Sequence, residues 1–233
     1  MKKDNSITIS SQDVKDFKGT YCDENLIIRD LLKKEFAQFF EGTILDVGGG
    51  TGDILSEVVP TKHVVHLDVL DFSDVAIPAA HTRLTGDFFD TALLQSVGAI
   101  DVLFMSHVHQ FIDGDIEKLQ SRIVELNPKH IILVEDMNDD FLGDVMRFSL
   151  EHIANANPEV QIPGFPRGYT KTKSVPFTAT LTSPTFTELA KQCLYLMDTI
   201  HSDDNMQKMT TFLQTKLSAP TFTINQEINL YQK

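Results

Sequence analysis

Thr43-Ile44-Leu45-Asp46-Val47-Gly48-Gly49-Gly50-Thr51-Gly52-Asp53 reads as a strand, a glycine turn and the first residue of a helix. Residues 43–47 are apolar or β-branched apart from Asp46, as in a strand covered on both faces. Gly48, Gly50 and Gly52 alternate through the turn. Glycine there lets the backbone bend sharply and come close to a ligand. Asp46 closes the strand beside that turn.

Outward from the turn, further strands are expected at 63–68, 82–85, 99–105 and 131–134, with helices at 53–59 and 115–126 between them. Strand and helix alternate at crossover lengths suited to parallel pairing. The expected fold class is therefore α/β: a doubly wound, mostly parallel seven-stranded sheet, with an antiparallel C-terminal strand pair and an N-terminal helical cover. In such a sheet ligands sit beyond the carboxyl ends of the strands, which directs attention to 46–53, 68–71, 86–89, 106–113 and 135–140.

The flanks complete this plan. Apolar residues recur at helical spacing over 23–40 (Leu26, Ile28, Leu31, Leu32, Phe36, Phe39, Phe40), with Asp23 placed to cap the helix and Gly42 to stop it. Residues 1–41 are expected to form the cover. A helix is expected over 141–157. Residues 158–184 carry five prolines, two glycines and the basic residues Arg167, Lys171 and Lys173; they are expected as a substrate-binding loop. A short helix at 185–192 follows, then a closing pair of strands at 194–201 and 221–231, around a helical or irregular excursion at 203–217. The 233 residues and 42% hydrophobic content suit one domain, 1–233.

A formal charge of −13 repels polyanions and disfavours a nucleic-acid partner. Cys22 and Cys193 show no metal-ligand spacing. No apolar run follows the N-terminus, and none is long enough for a bilayer. The expectation is a cytoplasmic protein without membrane or metal.

A glycine turn after a first strand has three common readings. A phosphate loop needs GxxxxGK[ST], and no such lysine follows. A dinucleotide fingerprint needs GxGxxG, whereas this turn is GxGxG followed by Asp53. An aspartate there repels a pyrophosphate but suits a ligand carrying an ammonium and a sulfonium. The segment 46–53 resembles the first motif of the class I, Rossmann-like methyltransferases that use S-adenosylmethionine. The resemblance extends over about residues 40–137. It implies that Asp46, Gly48, Gly50 and Gly52 form the cofactor turn. It also implies that Asp68, at the second strand end, accepts from both ribose hydroxyls, and that Asp87 and Phe88, after the third strand, take the adenine amino group and ring. Ser106, at the fourth strand end, would contact the methionine half.

The segment 101–113 resembles that of small-molecule O-methyltransferases, and the resemblance places their general base on His109 and the acid that orients it on Glu135. The chemistry is consistent: a hydroxyl attacks a methyl sulfonium poorly until it is deprotonated, and neutral imidazole does this near pH 7. Gln110 and Phe111 depart from the family's Asp-Trp, and Thr180 falls near its second acid. His107 is read as a packing residue. A metal site from Asp113, Asp136 and Asn138 has poor spacing. Tyr21, Met146, Phe165, Arg167 and Tyr169 are candidate substrate contacts. The expected activity is methyl transfer from S-adenosylmethionine to a small-molecule hydroxyl. The alternatives are an amine acceptor that needs only positioning, and a cofactor-binding protein without transfer.

Overall fold

The computed structural model describes residues 22–108, 116–154, 156, 166–197, 199 and 202–233. Strands β1 (Thr43–Val47), β2 (His63–Asp68), β3 (His81–Thr85), β4 (Val102–Ser106), β5 (His130–Asp136), β6 (Thr170–Thr182) and β7 (Thr221–Gln232) form one sheet in the order β3-β2-β1-β4-β5-β7-β6. The first five run parallel. β7 is antiparallel to both β5 and β6. The expected doubly wound sheet with its antiparallel pair is therefore present.

Side-chain alternation along each central strand feeds two cores. Leu45, Val47, Leu103, Met105, Ile131 and Leu133 face one side, covered by α3 (Thr91–Gln95) and α4 (Ile116–Leu126). Ile44, Val64, Phe104, Ile132 and Val134 face the other, covered by α1 (Glu24–Leu31) and α2 (Asp53–Val58). A third core joins α5 (Phe141–His152), α6 (Phe186–Leu196) and α7 (Asp203–Lys216) to the far ends of β6 and β7.

Among the described residues, the N-terminal cover runs from α1 into a wider π turn, Leu32–Phe36, and then a 3₁₀ turn, Ala37–Phe39. Ile28, Leu32, Phe36 and Phe40 are all fully buried, spaced by four. A spacing of four drifts around a regular helix of 3.6 residues per turn, and the wider turn keeps the stripe on the sheet. Lys173 secures this turn: its Nζ lies 2.8 Å from Glu35 Oε2 and 4.9 Å from the Phe36 ring centroid. Phe36→Ala is expected to cost about 3–5 kcal/mol, as for other buried phenylalanines, read as a fall in the urea midpoint.

Two expectations at the C-terminal end are corrected. Residues 170–182 are strand rather than loop: they alternate in burial, and Pro176 is accommodated because β6 is an edge strand. Residues 194–196 are helix rather than strand, because Leu189, Ala190, Cys193, Leu194 and Met197 are buried at helical spacing. Thr185 caps that helix, its Oγ1 accepting from Glu188 N at 3.1 Å. The true partner of β7 is thus β6, paired from Thr170↔Gln232 to Thr182↔Thr221.

Candidate active site

The carboxyl ends of β1, β2, β4 and β5 converge on the glycine turn. Gly48, Gly50 and Gly52 adopt φ of 68°, 50° and 73°, the left-handed region in which a Cβ is costly. Gly48 N donates to Leu67 O at 2.8 Å, tying the turn to β2. Asp68 supports it from the same strand. One carboxylate oxygen accepts from Gly50 N at 3.0 Å and the other from Leu70 N at 2.9 Å. Arg83 reaches over from β3, donating to Gly50 O at 2.7 Å and to Thr51 O at 2.5 Å. Burial pushes its guanidinium below the ordinary value, with Asp46 and Asp68 opposing the shift.

Asp46 is buried beneath the turn and faces His66, with Oδ2 2.7 Å from Nδ1. A Cβ on Gly49 would stand 2.7 Å from the same oxygen. Asp87 is exposed after β3, where Oδ1 accepts from Phe89 N at 2.8 Å. Phe88 is buried in the core under β1 and β2. Ser106 follows Met105, the register partner of Val47. Its hydroxyl is buried and has no partner among the described residues.

Past Ser106, His107 holds an unusual backbone conformation, φ 53°, which histidine tolerates better than most residues. Its ring bridges three elements. Nε2 lies 2.9 Å from Glu24 Oε1 of α1, and Nδ1 3.7 Å from Asp136 Oδ2 at the end of β5. Gln226 of β7 joins them, its Nε2 2.8 Å from Asp136 Oδ1 and 3.3 Å from His107 Nε2. Cys22 lies alongside, its Sγ 3.9 Å from Glu24 Oε2; burial, then the Glu24 charge, pushes the thiol up. Asn25 extends the cluster to the turn by donating to Asp53 Oδ2 at 3.0 Å. Asp23 accepts from Thr180 N at 2.6 Å instead of capping α1.

Val108 follows, and a Cβ on Gly48 would meet its Cγ2 at 3.0 Å. Val108 therefore abuts the glycine turn. His109, Tyr21 and Phe165 lie outside the described residues. Glu135 is buried between two residues of β7. It accepts from Asn229 Nδ2 at 2.7 Å and is hydrogen-bonded to Tyr231, whose hydroxyl is pushed up by burial first and by Glu135 second. Met146 packs with α6 and α7 in the third core.

Arg167 and Tyr169 are not brought to the turn. Arg167 pairs with Glu117 of α4 at 2.6 Å, and Tyr169 donates to Pro128 O at 2.7 Å. Because Thr170 pairs with Gln232, and Gln232 with His130, this segment arrives at the amino end of β5. Sequence reasoning passed over Glu24, His66, Arg83 and Gln226 and read His107 as packing. The available signal was His66, a polar residue inside the largely apolar run 63–68.

No group of three or more His, Cys, Asp or Glu among the described residues is placed to hold a metal. No helix among them is long and apolar enough to cross a membrane.

Solved structures share this fold at low identity. A cyclopropane-fatty-acyl-phospholipid synthase-like protein from Lactobacillus casei is 13% identical over 90% of each chain, with a TM-score of 0.57. A candidate Type II methyltransferase from Anaeromyxobacter dehalogenans is 13% identical over 89% of this chain and 94% of its own, with a TM-score of 0.51. A candidate sarcosine dimethylglycine methyltransferase from Galdieria sulphuraria is 10% identical over 89% and 86%, with a TM-score of 0.52. No curated protein matches the sequence. The family model for the O-methyltransferase domain matches residues 7–154, a span that contains the glycine turn, the ends of β2 and β3 and the segment after β4. This chain belongs to the O-methyltransferase domain family and is an S-adenosylmethionine-dependent methyltransferase.

Proposed function

We propose that the chain methylates a hydroxyl group of a small molecule, with His109 as the base that removes the hydroxyl proton. The observation that carries this reading is the O-methyltransferase match across both the glycine turn and the segment bearing His107 and His109. The residues present fit S-adenosylmethionine. The turn offers a glycine backbone free of side chains, Asp68 stands at the end of β2, and the buried Ser106 hydroxyl lacks a protein partner among the described residues. The cofactor supplies an electrophilic methyl group on a sulfonium.

The chain's own residues do the rest. Gly48, Gly50 and Gly52 hold the turn open, and Asp68 and Arg83 fix its shape from β2 and β3. In this reading Asp87 and Phe88 receive the adenine, and Ser106 the methionine half. α1 covers the strand ends through Glu24 and Asn25 and keeps water from the reacting groups. Glu135 orients the imidazole of His109. The partners are a small molecule and the cofactor, without nucleic acid, in the cytoplasm.

The test is a panel of phenols, alcohols and amines incubated with methyl-labelled S-adenosylmethionine, with products identified by mass spectrometry. An O-methyl product from the wild type supports the reading, and exclusive N-methylation replaces it.

The amine reading has one observation in its favour. Glu24 and Asp136 put two carboxylates around His107 beside the turn, where a cationic acceptor would be drawn. It predicts a rate that follows the amine's own pKa and survives loss of His109.

A further inference from the structure

Beneath the glycine turn lies a chain of buried side chains that methyl transfer does not itself require. Asp46, His66 and His81 come from β1, β2 and β3 and are each at least nine-tenths buried. Asp46 Oδ2 is 2.7 Å from His66 Nδ1, His66 Nε2 is 2.9 Å from His81 Nδ1, and His81 Nε2 is 3.1 Å from Val59 O. The last link fixes the polarity of the whole chain. A backbone carbonyl only accepts, so His81 Nε2 carries a hydrogen and donates.

His81 Nδ1 is then the acceptor if that ring is neutral, and His66 Nε2 must donate to it. His66 Nδ1 faces a carboxylate, so that contact also needs a hydrogen. Three bonds need three protons. Two neutral histidines and an ionised aspartate supply two. The third resides on the Asp46–His66 contact, making it an imidazolium–carboxylate pair, since imidazole is the more basic group. A fourth proton, on His81 Nδ1, would set N–H against N–H. Burial, the largest influence on His81, holds its pKa below the ordinary value, in keeping with a neutral ring.

This chain touches the cofactor turn directly. Gly52 packs on the His66 ring, where a Cβ would lie 3.0 Å from Cε1, and Gly49 packs on Asp46. His66 pairs in register with Asp46 on one side and Arg83 on the other, and Arg83 holds two carbonyls of the turn. Among the described residues, the Arg83 charge acts on His81, and Asp68 and Asp74 in turn act on Arg83.

We propose that His66 is a positioning residue for the cofactor: the Asp46–His66–His81 relay holds the glycine turn in its binding shape only while it carries three protons. Loss of one leaves Asp46 and His66 Nδ1 as two facing acceptors, and gain of one breaks the link to His81. Cofactor affinity is therefore bell-shaped in pH. The inference rests on the reading of this turn as the S-adenosylmethionine site.

The experiment is calorimetric titration of S-adenosylhomocysteine into the full chain between pH 5 and pH 10, for the wild type, His81→Gln and His66→Leu. Glutamine at 81 donates to Val59 O and accepts from His66 but takes no further proton. The wild type should lose about 10-fold in affinity on each limb, the cost of one broken contact of this kind. His81→Gln should lose the acid limb and keep the alkaline one. His66→Leu should bind more weakly at the optimum and show neither limb. Identical profiles for wild type and His81→Gln overturn the relay. Imidazole ¹⁵N resonances give a second readout that needs no ligand. At pH 7 both His66 nitrogens should be protonated, with His81 protonated on Nε2 alone; a bare nitrogen on His66 overturns the proposal even if the turn binds cofactor. Failure to bind S-adenosylhomocysteine at any pH, with the resonances as stated, instead overturns the cofactor reading.

Discussion

Gly52→Val is expected to weaken S-adenosylhomocysteine binding by about 30- to 150-fold while leaving the chain folded. Gly52 has φ 73°, and an added Cβ would sit 3.0 Å from the His66 ring. A β-branched residue in the left-handed region is a genuine outlier, with strain of about 2–3 kcal/mol, which converts to that range of affinity. Without ligand the turn relieves the strain by moving. With ligand it must be restored, so the cost appears in binding. Gly98→Val is the control. It has φ 81° with no neighbour within 4 Å of the added carbon, and it precedes β4 at the opposite end of the sheet. It should lower stability and leave affinity within about two-fold of wild type, inside the variation of surface substitutions. Equal affinities for Gly52→Val and wild type would mean that the turn does not hold the cofactor.

His109→Ala is expected to lower turnover of a hydroxyl substrate by about 100- to 10,000-fold, the usual range for a lost general base, with unchanged affinity for S-adenosylhomocysteine. His109 follows Val108, whose methyl group abuts the glycine turn. His107→Ala is the necessary comparison. Both ring nitrogens of His107 already face carboxylates, at 2.9 and 3.7 Å. Its loss should loosen α1 and raise KM more than it lowers kcat. If His107→Ala loses turnover like a missing base while His109→Ala does not, the proton acceptor is the histidine inside the carboxylate nest. If neither loses turnover, the reaction proceeds by positioning, as for an amine.

Most of the parallel half of the sheet was legible because β1, β2, β4 and β5 are short, largely apolar runs, with β1 closed by glycine and β2 and β5 by aspartate. β6 was not legible. Its residues, Thr-Lys-Thr-Lys-Ser-Val-Pro-Phe-Thr-Ala-Thr-Leu-Thr, are polar on the outward face and include a proline. Only its place at the sheet edge makes those residues compatible with a strand. The C-terminal part of α6 was misjudged because Leu194, Tyr195 and Leu196 carry β character locally, whereas packing against α7 decides the matter.

For the site, Asp46, the glycines, Asp68 and Ser106 stood where strand ends predict. Arg167 and Tyr169 did not: they lead into β6, which the sequence pattern does not reveal and which begins at the amino end of β5. His66 and His81 lie fifteen residues apart, and nothing in their local sequence announces that the sheet stacks them beneath a turn.

The strap formed by 22–40 sets the limits of any shortened version of this protein. A fragment beginning at Gly42 would keep every parallel strand and the glycine turn. It would also bare Ile44, Phe104, Ile132, Val134, Ile228 and Leu230, a continuous oily surface now roofed by Ile28, Leu32, Phe36 and Phe40. Such a fragment is expected to precipitate rather than serve as a minimal catalytic core. Any shortened version therefore has to retain Ile28, Leu32, Phe36 and Phe40.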